Sequence, residues 1–382
     1  MENMLNFSKL VLDLTSIDGY FKAVTANAIN TNHTIRNWLI GAYIIEFEQN
    51  GLERAQYATN LIQKIADELN QAGLSARNLR QFRQFYLTYS DLLALPNMHD
   101  SSVGNIWQSL PAKLHDNDIQ GLMIWQTASA KLKSKNDVPK VPAEQIIHNL
   151  SYSHLVTIMA QDDPLKRTFY EIESIKGRWS VAQLKRQINT LLYERSAMSK
   201  DPGLLIKMVN DQLEYVPQSK EIIKDVFTFE FLGLNEKYMV HESVLERALL
   251  NHIEAFMLEL GHGFCFEARQ QKILIGDEYY FIDLVFYHRI LKCHVIIDLK
   301  VEEFNYGNAG QINTYLNYYK DKVVRPDDNP PIGILFVTDK NKALVEYATS
   351  GMDQQLFIRK YLVELPDKEV LKKIIEKEIG II

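Results

Sequence analysis

Apolar residues recur at three- and four-residue spacing along residues 18–70. This period puts them on one face of each helix, so this part of the chain is predicted to form amphipathic helices. The pattern is clearest at Trp38, Leu39, Tyr43, Ile44 and Phe47. Helical patterns continue, with interruptions, to about residue 200, and they predict an all-α N-terminal domain over residues 1–200.

Two short helices within this domain have similar sequences. One follows the candidate N-cap Ser75 and the other follows Ser180, and aligning the two serines aligns Leu79 with Leu184. The repeat is similar to the recognition helix of a helix-turn-helix, although a capped amphipathic helix with a basic outer face is also a common surface feature. The candidate nucleic-acid contacts on these helices are Arg77, Arg80, Arg83, Lys185 and Arg186.

The pattern changes after residue 240. A helix over residues 242–260 precedes three strands at 264–275, 279–288 and 292–301, which Gly276-Asp277 and Arg289-Ile290 connect. A helix over 308–320, a strand over 332–337, a further short helix, a last strand and a last helix follow. The order αβββαβ predicts a mixed-sheet domain over residues 241–382, with residues 201–240 as a linker and lead-in segment. The fold class is therefore α+β multidomain.

Composition narrows the class of protein. The chain has 382 residues, of which 46% are hydrophobic, so disordered and collagen-like classes are unlikely. No apolar run approaches eighteen residues, and no membrane association is expected. Only Cys265 and Cys293 are present, which excludes a disulfide framework or a cysteine-rich zinc site and predicts a cytoplasmic location.

The net charge of the chain does not by itself indicate a nucleic-acid-binding protein. The first 200 residues hold 21 basic and 19 acidic residues, and the remaining 182 hold 21 basic and 29 acidic residues. Neither part has the strong basic excess that would indicate binding to a polyanion. A role with nucleic acid has to be argued from local patches and from a site.

Two predicted strands contain acids that a buried strand should avoid. Asp283 lies in YFIDLVF and Asp298 lies in VIIDLKV, both almost entirely apolar. Stripping a carboxylate of water without compensation costs several kcal/mol, so both acids need a partner. The tight connection between the strands brings Asp283 beside Asp298, and alternation places Asp298 and Lys300 on one face.

Two explanations compete for these acids. A structural ion pair with Lys300 accounts for one carboxylate and leaves the other unexplained. A bound divalent cation accounts for both, because carboxylate oxygens are the ligands that Mg²⁺ and Mn²⁺ prefer. The residues favour the metal.

The same residues resemble a known family. Asp283 followed by Asp298-Leu299-Lys300 within αβββαβ is similar to the PD-(D/E)XK nuclease motif, with Ile282 where the motif's name has Pro. The sequence resembles the YhcG-type branch of that superfamily in five short motifs. These are LELGHGF at 258–264, FIDLVFYH at 281–288, AGQ at 309–311, VEYA at 345–348 and GMDQQLF at 351–357. Residues 75–86, 152–154 and 179–180 extend the resemblance into the N-terminal half.

The resemblance implies a restriction-endonuclease-like C-terminal domain that cleaves nucleic acid with Mg²⁺ or Mn²⁺. Asp283 and Asp298 would ligate the metal, with the backbone carbonyl of Leu299 as a third ligand. Lys300 would orient the attacking water and stabilise charge on the phosphate. Glu254 matches an acid that the preceding helix often supplies. Its plain alternative is an exposed surface residue.

Two further residues enter through the resemblance. Gln311 and Tyr315 match a Gln-x-x-x-Tyr element that follows the lysine strand in several such nucleases. Their four-residue spacing places both on one helical face, where they could touch the scissile phosphate, or could simply pack at the helix start.

The predicted function is that of a Mg²⁺-dependent endodeoxyribonuclease in genome defence or DNA processing. The expected partners are DNA and restriction-modification or other defence components, and a homodimer would suit cleavage of both strands. Two alternatives stay open: a non-catalytic nucleic-acid-binding or adaptor protein built on a nuclease-like platform, and a structure-selective RNA or junction nuclease.

Overall fold

The computed structural model describes residues 11–15, 29–50, 60–90, 92, 139–210, 218–234 and 241–379. The chain forms two compact units, Met1–Leu184 and Lys185–Ile382, and the boundary lies within one helix. Two parts of the predicted linker, residues 211–217 and 235–240, lie outside the described residues. Among the helices that are described, none has the length and apolar character needed to cross a membrane.

The described elements of the first unit are all helices, as predicted. They are α1 (Ile29–Asn50), α2 (Leu61–Leu69), α3 (Ala76–Thr88), α4 (Ala143–Asn149), α5 (Tyr152–Met159) and α6 (Pro164–Gly177), and α7 (Val181–Asn189) contains the unit boundary. Ser75 caps α3 by accepting a hydrogen bond from the backbone N–H of Asn78, as the sequence predicts. Leu79 and Phe82 are buried, whereas Tyr86 is only half-buried because Phe85 takes the fully buried position beside them.

Helices α1 and α3 cross at very short range. A Cβ atom at Gly41 would lie 2.1 Å from the carbonyl oxygen of Phe82, so only glycine permits this approach. The indole N–H of Trp38 donates to the carbonyl oxygen of Tyr89 at 2.7 Å and satisfies a buried donor beside the crossing. The predicted stripe on residues 38–47 is buried here.

The second unit contains a six-stranded sheet. Its strands are β1 (Val226–Thr228), β2 (Phe264–Ile275), β3 (Glu278–His288), β4 (Cys293–Leu299), β5 (Ile332–Val337) and β6 (Leu356–Leu362). Its helices are α8 (Leu192–Arg195), α9 (Pro202–Asn210), α10 (Ser219–Ile222), α11 (Glu242–Asn251), α12 (Ile253–Leu260), α13 (Tyr306–Lys322), α14 (Lys342–Thr349) and α15 (Lys368–Ile379), with 3₁₀ turns at Ala197–Ser199 and Glu230–Leu232.

Strand order in the sheet is β1-β6-β5-β4-β3-β2. The hairpins β2-β3 and β3-β4 are antiparallel, and β4, β5, β6 and β1 run parallel to one another. Every residue of β4 and β5 is buried, because α11 and α12 cover one face of the sheet and α13 covers the other. The near-continuous apolar sequence of these strands reflects this two-sided burial.

Two features differ from the sequence-based expectations. Val226–Thr228 lies in the predicted lead-in segment but forms the edge strand β1, and three residues are too few to show an alternating pattern. The predicted helix over residues 242–260 is two helices, because His252 leaves the helical conformation.

Glu259 is the buried charge that joins several elements of the second unit. Its side chain is 0% exposed and accepts hydrogen bonds from Arg195 and from the backbone N–H of Thr228, the latter at 3.0 Å. Arg186 Nη1 lies 3.3 Å from its other oxygen, and Lys224 pairs with it and donates to its carbonyl. Burial alone would raise the pKa of Glu259, but the three cations lower it to about 2.

Replacing this carboxylate tests the cluster. Glu259→Gln keeps the volume but leaves the surrounding cations without a counter-charge, so we expect a loss of about 3–5 kcal/mol in the free energy of unfolding at pH 7, measured in urea. The matched control is Glu376→Gln, which breaks the surface pair with Lys372 and should cost less than about 1 kcal/mol.

The difference should also depend on pH. The folded-state pKa of Glu259 lies below its ordinary value of 4.5, so its contribution is present above pH 4.5 and is lost as pH falls toward 2. The gap between wild type and Glu259→Gln should therefore narrow over that range. Equal losses for Glu259→Gln and Glu376→Gln would contradict this account.

Candidate functional site

The site lies where strands β3 and β4 stop pairing. The last pair of the ladder is Leu284 with Ile297, so Asp283 and Asp298 occupy the next two facing positions. Asp298 shares a face of β4 with Ile296, which packs toward α13. The structure therefore brings together the two acids that the sequence analysis selected.

Asp283 is held by one main-chain and one side-chain donor. Its Oδ2 atom accepts a hydrogen bond from the backbone N–H of Leu299 at 2.8 Å, and its Oδ1 atom accepts one from Gln270 Nε2 at 3.1 Å. Burial raises the pKa of Asp283, and the N–H of Leu299 and the charge of Lys300 offset only part of the rise. The carboxylate is thus fixed in position but incompletely compensated.

Asp298 is the most deeply buried acid of the site, with 1% of its surface exposed. Its Oδ2 atom lies 3.0 Å from Lys300 Nζ, but it makes no well-aligned hydrogen bond to any described residue. Burial raises the pKa of Asp298 to about 7 against the effect of Lys300, and the neighbouring charge of Asp283 adds to the rise. The site holds more negative charge than the chain itself neutralises.

Lys300 sits among acids immediately after β4. Its Nζ atom lies 3.4 Å from Glu242 as well as 3.0 Å from Asp298. Burial lowers the pKa of Lys300, but the neighbouring acids outweigh burial and raise it overall. Its backbone N–H donates to the carbonyl of Phe336, and its carbonyl accepts from Tyr361, so the lysine is held at both ends. It stays an ammonium group at neutral pH.

Three residues of the site were missed by sequence reasoning. Glu242 pairs with Lys300, and Gln270 Nε2 donates to both Glu246 Oε2 at 2.7 Å and Asp283 at 3.1 Å. The four-residue spacing of the two glutamates on α11 was the available signal, since it places them on one helical face. Burial also raises the pKa of Glu246, and Asp283 adds to that rise.

Gln270 has a backbone conformation that is rare within a strand. Its φ is 44°, in the left-handed region that favours glycine, and it lies opposite Asp283 between the pairs Arg269–Leu284 and Gln271–Ile282. A strained residue whose side chain joins two acids is typical of a functional site. Periodicity could not reveal it, because the strand pattern continues through this position.

Glu254 is not part of the site in the described residues. It lies on α12, is exposed, and makes neither a hydrogen bond nor an ion pair there. The reason is the break at His252, which separates α12 from α11 and leaves Glu242 and Glu246 as the helix acids beside the sheet. The structure thus gives Glu254 no contact with Asp283, Asp298 or Lys300, and the helix acids that make polar contacts at the site are Glu242 with Lys300 and Glu246 with Gln270.

Gln311 and Tyr315 lie together on α13. Gln311 Nε2 donates to the hydroxyl oxygen of Tyr315 at 2.7 Å, and that hydroxyl donates to the carbonyl of Phe281 at 3.3 Å. Tyr315 is 1% exposed, and burial raises its pKa, with further contributions from Asp298 and Asp283. Tyr315 therefore holds the side-chain amide of Gln311 in place, and Gln311 itself is exposed beside the acids.

The predicted basic contacts divide into two groups. Arg77, Arg80 and Lys185 are exposed. Arg83 instead pairs with Glu48 at 2.9 Å, and Arg186 pairs with Glu230 at 2.7 Å and with Glu259. The geometry does not support the last two as phosphate contacts, because their guanidinium groups are already bound to carboxylates.

The donor set of the site fits a divalent cation. Carboxylate oxygens are hard ligands, both aspartates have raised pKa values, and one buried oxygen of Asp298 lacks an aligned donor. A bound cation would offset the electrostatic cost of burying both ionised carboxylates. No ready cluster of three or more His, Cys, Asp or Glu side chains with metal-binding geometry occurs in the part of the chain that the structure describes, so a backbone oxygen or water would complete the coordination.

Comparison with known proteins gives consistent matches along the chain. The family model for the YhcG PDDEXK nuclease domain matches residues 220–376, and the model for the DUF1016 N-terminal domain matches residues 19–111 and 129–195. An Escherichia coli (strain K12) protein described as "Putative nuclease YhcG" is 36% identical over 351 residues, which cover 91% of this chain and 88% of that protein.

A solved structure also shows a weaker similarity. It is described as a crystal structure of a repair endonuclease from Pyrococcus abyssi, with 21% sequence identity and a TM-score of 0.25. The match covers 33% of this chain and 49% of that chain.

The raised pKa of Asp298 predicts a pH-dependent gain in stability when its charge is removed. The ionised carboxylate is disfavoured in the folded state, so its penalty is absent below pH 3.8, grows as pH rises, and is complete above pH 7. Asp298→Asn should therefore raise the free energy of unfolding in EDTA by on the order of 1 kcal/mol at pH 8, and by less at pH 5.

Denaturant unfolding at several pH values measures this effect. Asp277→Asn, at an exposed turn between β2 and β3, makes the same chemical change without burial and should alter stability little at either pH. A loss of stability in Asp298→Asn that becomes larger as pH rises would show that the carboxylate is adequately paired without a metal.

Proposed function

We propose that this chain, which belongs to the YhcG PDDEXK nuclease family, is a metal-dependent endonuclease that hydrolyses phosphodiester bonds in DNA. The observation that carries the proposal is the meeting of Asp283, Asp298 and Lys300 at the end of the β3-β4 ladder. Two under-compensated acids next to one ammonium group are the minimum chemistry for metal-assisted attack on a phosphodiester.

The two aspartates would hold Mg²⁺ or Mn²⁺, with the carbonyl oxygen of Leu299 as the expected third protein ligand. The bound metal would lower the pKa of a water molecule and neutralise charge on the phosphate. The chain contributes the fixed carboxylates: the N–H of Leu299 and the amide of Gln270 hold Asp283, and burial keeps water away from Asp298. Positioning of this kind requires little movement during the reaction.

Lys300 supplies the protein's own positive charge. Its raised pKa keeps it protonated at neutral pH, and its attachment at the end of β4 keeps Nζ next to Asp298. From there it can orient the attacking water and stabilise negative charge that develops on the non-bridging oxygens. Glu242 pairs with the same ammonium group and restrains its direction.

The helix residues have supporting roles in this proposal. Glu246 holds the amide of Gln270, which in turn holds Asp283, so α11 positions the first aspartate from outside the strand pair. Gln311, anchored by Tyr315, offers an exposed amide donor to the phosphate. Neither Gln270 nor Glu246 needs to touch the reacting atoms.

The rest of the proposal concerns recognition and setting. We infer that Arg77, Arg80 and Lys185 contribute to DNA binding, through helix-turn-helix-like use of α3 and α7, and that the protein acts in genome defence beside restriction-modification components. A homodimer would place one site on each antiparallel strand. Both cysteines are free, with Cys265 exposed, which agrees with a cytoplasmic location.

Substitution of the lysine tests the proposed chemistry. Lys300→Gln should reduce metal-dependent cleavage by at least about 100-fold, because it removes the charge that stabilises the phosphate in the transition state. The assay uses supercoiled, linear, branched and single-stranded DNA, and RNA of the same sequence, with Mg²⁺ or Mn²⁺. Lys322→Gln, at an exposed position near the end of α13, is the matched control.

The control should cut like the wild type and unfold at the wild-type temperature. Lys300→Gln should melt at a lower temperature, because it removes the cation beside Asp298, but should still be folded at the temperature of the assay. Cleavage by Lys300→Gln at the wild-type rate and equal metal concentration would refute the mechanism. Nucleic-acid binding by the wild type without cleavage of any substrate would favour the adaptor alternative, and cleavage of RNA alone would redirect the substrate.

A further inference from the structure

A second polar cavity of the nuclease unit lies outside the site described above. It has a volume of about 630 Å³ and lies between β6, the loop that connects β5 to α14, and α15. Its lining includes Arg359, Lys342 and Lys377, and it also includes Glu303, three residues after the catalytic lysine. Its polar walls suit a charged ligand.

Most charges in the cavity are already paired. Lys200 pairs with Asp225 at 2.5 Å, Lys340 pairs with Glu378 at 3.3 Å, and Asp339 pairs with Lys360 at 2.8 Å. Among the described lining residues, the charged groups left without an ion pair are Arg359, Lys342, Lys377 and Glu303. Three cations against one acid give the cavity a local positive excess within an acidic unit.

Arg359 is the least satisfied of these cations. Its Nη1 atom donates to the carbonyl of Ile358, but its Nε atom is buried and finds no acceptor among the residues that the structure describes. Burial lowers the pKa of the guanidinium, and Asp225 and Glu378 offset this only in part. A desolvated arginine with a free donor is the group that binds phosphate best, because its fork matches the oxygens of an anion.

The cavity and the two aspartates lie at the same level along the strands of the sheet. Asp298 in β4 pairs with Leu335 in β5, and Leu335 pairs with Ile358 in β6, so the cavity-lining residue Ile358 and its neighbour Arg359 are two strands away from Asp298. At the usual spacing between strands this is about 10 Å. The segment after Lys300 is also tied to the cavity loop, because Thr338 donates to Glu302 and Phe304 donates to Asp339.

We propose that this cavity binds a phosphate group of the nucleic-acid substrate that flanks the cleaved bond, with Arg359 as its main contact and Lys342 and Lys377 at its rim. The inference rests on the proposed nuclease function and identifies where an acidic unit holds a polyanion. The N-terminus of α14, where Asn341 caps the helix, lines the same cavity and adds a favourable dipole.

Fluorescence anisotropy with labelled duplex and single-stranded DNA tests the proposal. The full chain carries Asp298→Asn to prevent cleavage, in EDTA, and is titrated at several salt concentrations. Arg359→Gln should weaken binding about tenfold for every sequence, and Lys342→Ala with Lys377→Ala should do likewise, with the salt slope reduced by about one per cation removed. Arg359→Lys, which keeps the charge but loses the planar fork, should weaken binding less than Arg359→Gln and leave the salt slope unchanged.

The control variant removes two positive charges, as the double lysine variant does, but from positions on α15 outside the cavity. Lys368→Ala with Lys372→Ala changes two exposed lysines of that helix that do not line the cavity, and this variant should bind DNA like the wild type. Equal weakening by this variant would show a general effect of net charge and would overturn the proposal. Melting temperatures separate lost binding from lost folding, since Lys342 and Lys377 are both exposed.

Cleavage assays separate the two levels of inference. If the cavity variants bind and cut DNA like the wild type, the cavity is not a substrate site, while the nuclease function stands. If the wild type neither binds nor cuts any nucleic acid, both proposals fall. An increase in KM with unchanged kcat in Arg359→Gln is the result that the proposal predicts.

A calorimetric titration with inorganic phosphate and with a mononucleotide identifies the source of the phosphate. Weak or undetectable binding of both, together with the loss of DNA affinity, supports a backbone phosphate. Tight binding of either that Arg359→Gln abolishes, with DNA affinity unchanged, would assign the cavity to a small phosphorylated molecule and overturn the proposal.

Discussion

The second unit depends on one constraint: two carboxylates face each other at the point where two buried strands separate. Asp298 is almost without solvent contact, and Asp283 occupies the facing position on β3. Three neighbouring residues reduce the electrostatic cost of this arrangement. Leu299 turns its backbone N–H toward Asp283, Gln270 adopts a left-handed conformation to reach it, and Lys300 approaches Asp298. The compensation is still incomplete, which is what distinguishes the site from an ordinary ion pair.

A comparison between two buried acids of the same unit makes this clear. Glu259 is surrounded by three cations, and its pKa falls to about 2. Asp298 is buried to a similar extent but has one nearby cation and two nearby acids, and its pKa rises to about 7. The first arrangement joins elements of the fold, since its partners come from separate segments of the chain. The second stores an electrostatic penalty that a divalent cation would relieve, as functional sites commonly do.

Sequence reasoning predicted the sheet domain well because its signals are local. Apolar runs and turn residues specify strands and helices over a few residues, and the acids stand out within β3 and β4. It failed where the answer depends on tertiary structure. The break at His252 leaves Glu254 exposed on a separate helix, whereas Glu242 and Glu246 contact Lys300 and Gln270. Arg186 pairs with Glu230, which lies 44 residues away. The role of Gln270 depends on a backbone angle that no hydrophobic pattern encodes.

The second unit is acidic overall, and its charged groups are distributed unevenly. Glu242, Asp283 and Asp298 lie around Lys300, and other acids such as Glu378 are in ion pairs, while three cations of the cavity beside β6 have no ion pair among the described residues. The proposed phosphate contact would hold a polyanion locally even though the unit is acidic as a whole.

Calorimetric titration of Mn²⁺ into the full chain at pH 7.5 tests the central claim most directly. The wild type and Asp277→Asn should show saturable binding, and Asp283→Asn and Asp298→Asn should each lose it. Unchanged uptake of Mn²⁺ by either of the last two proteins would contradict the account.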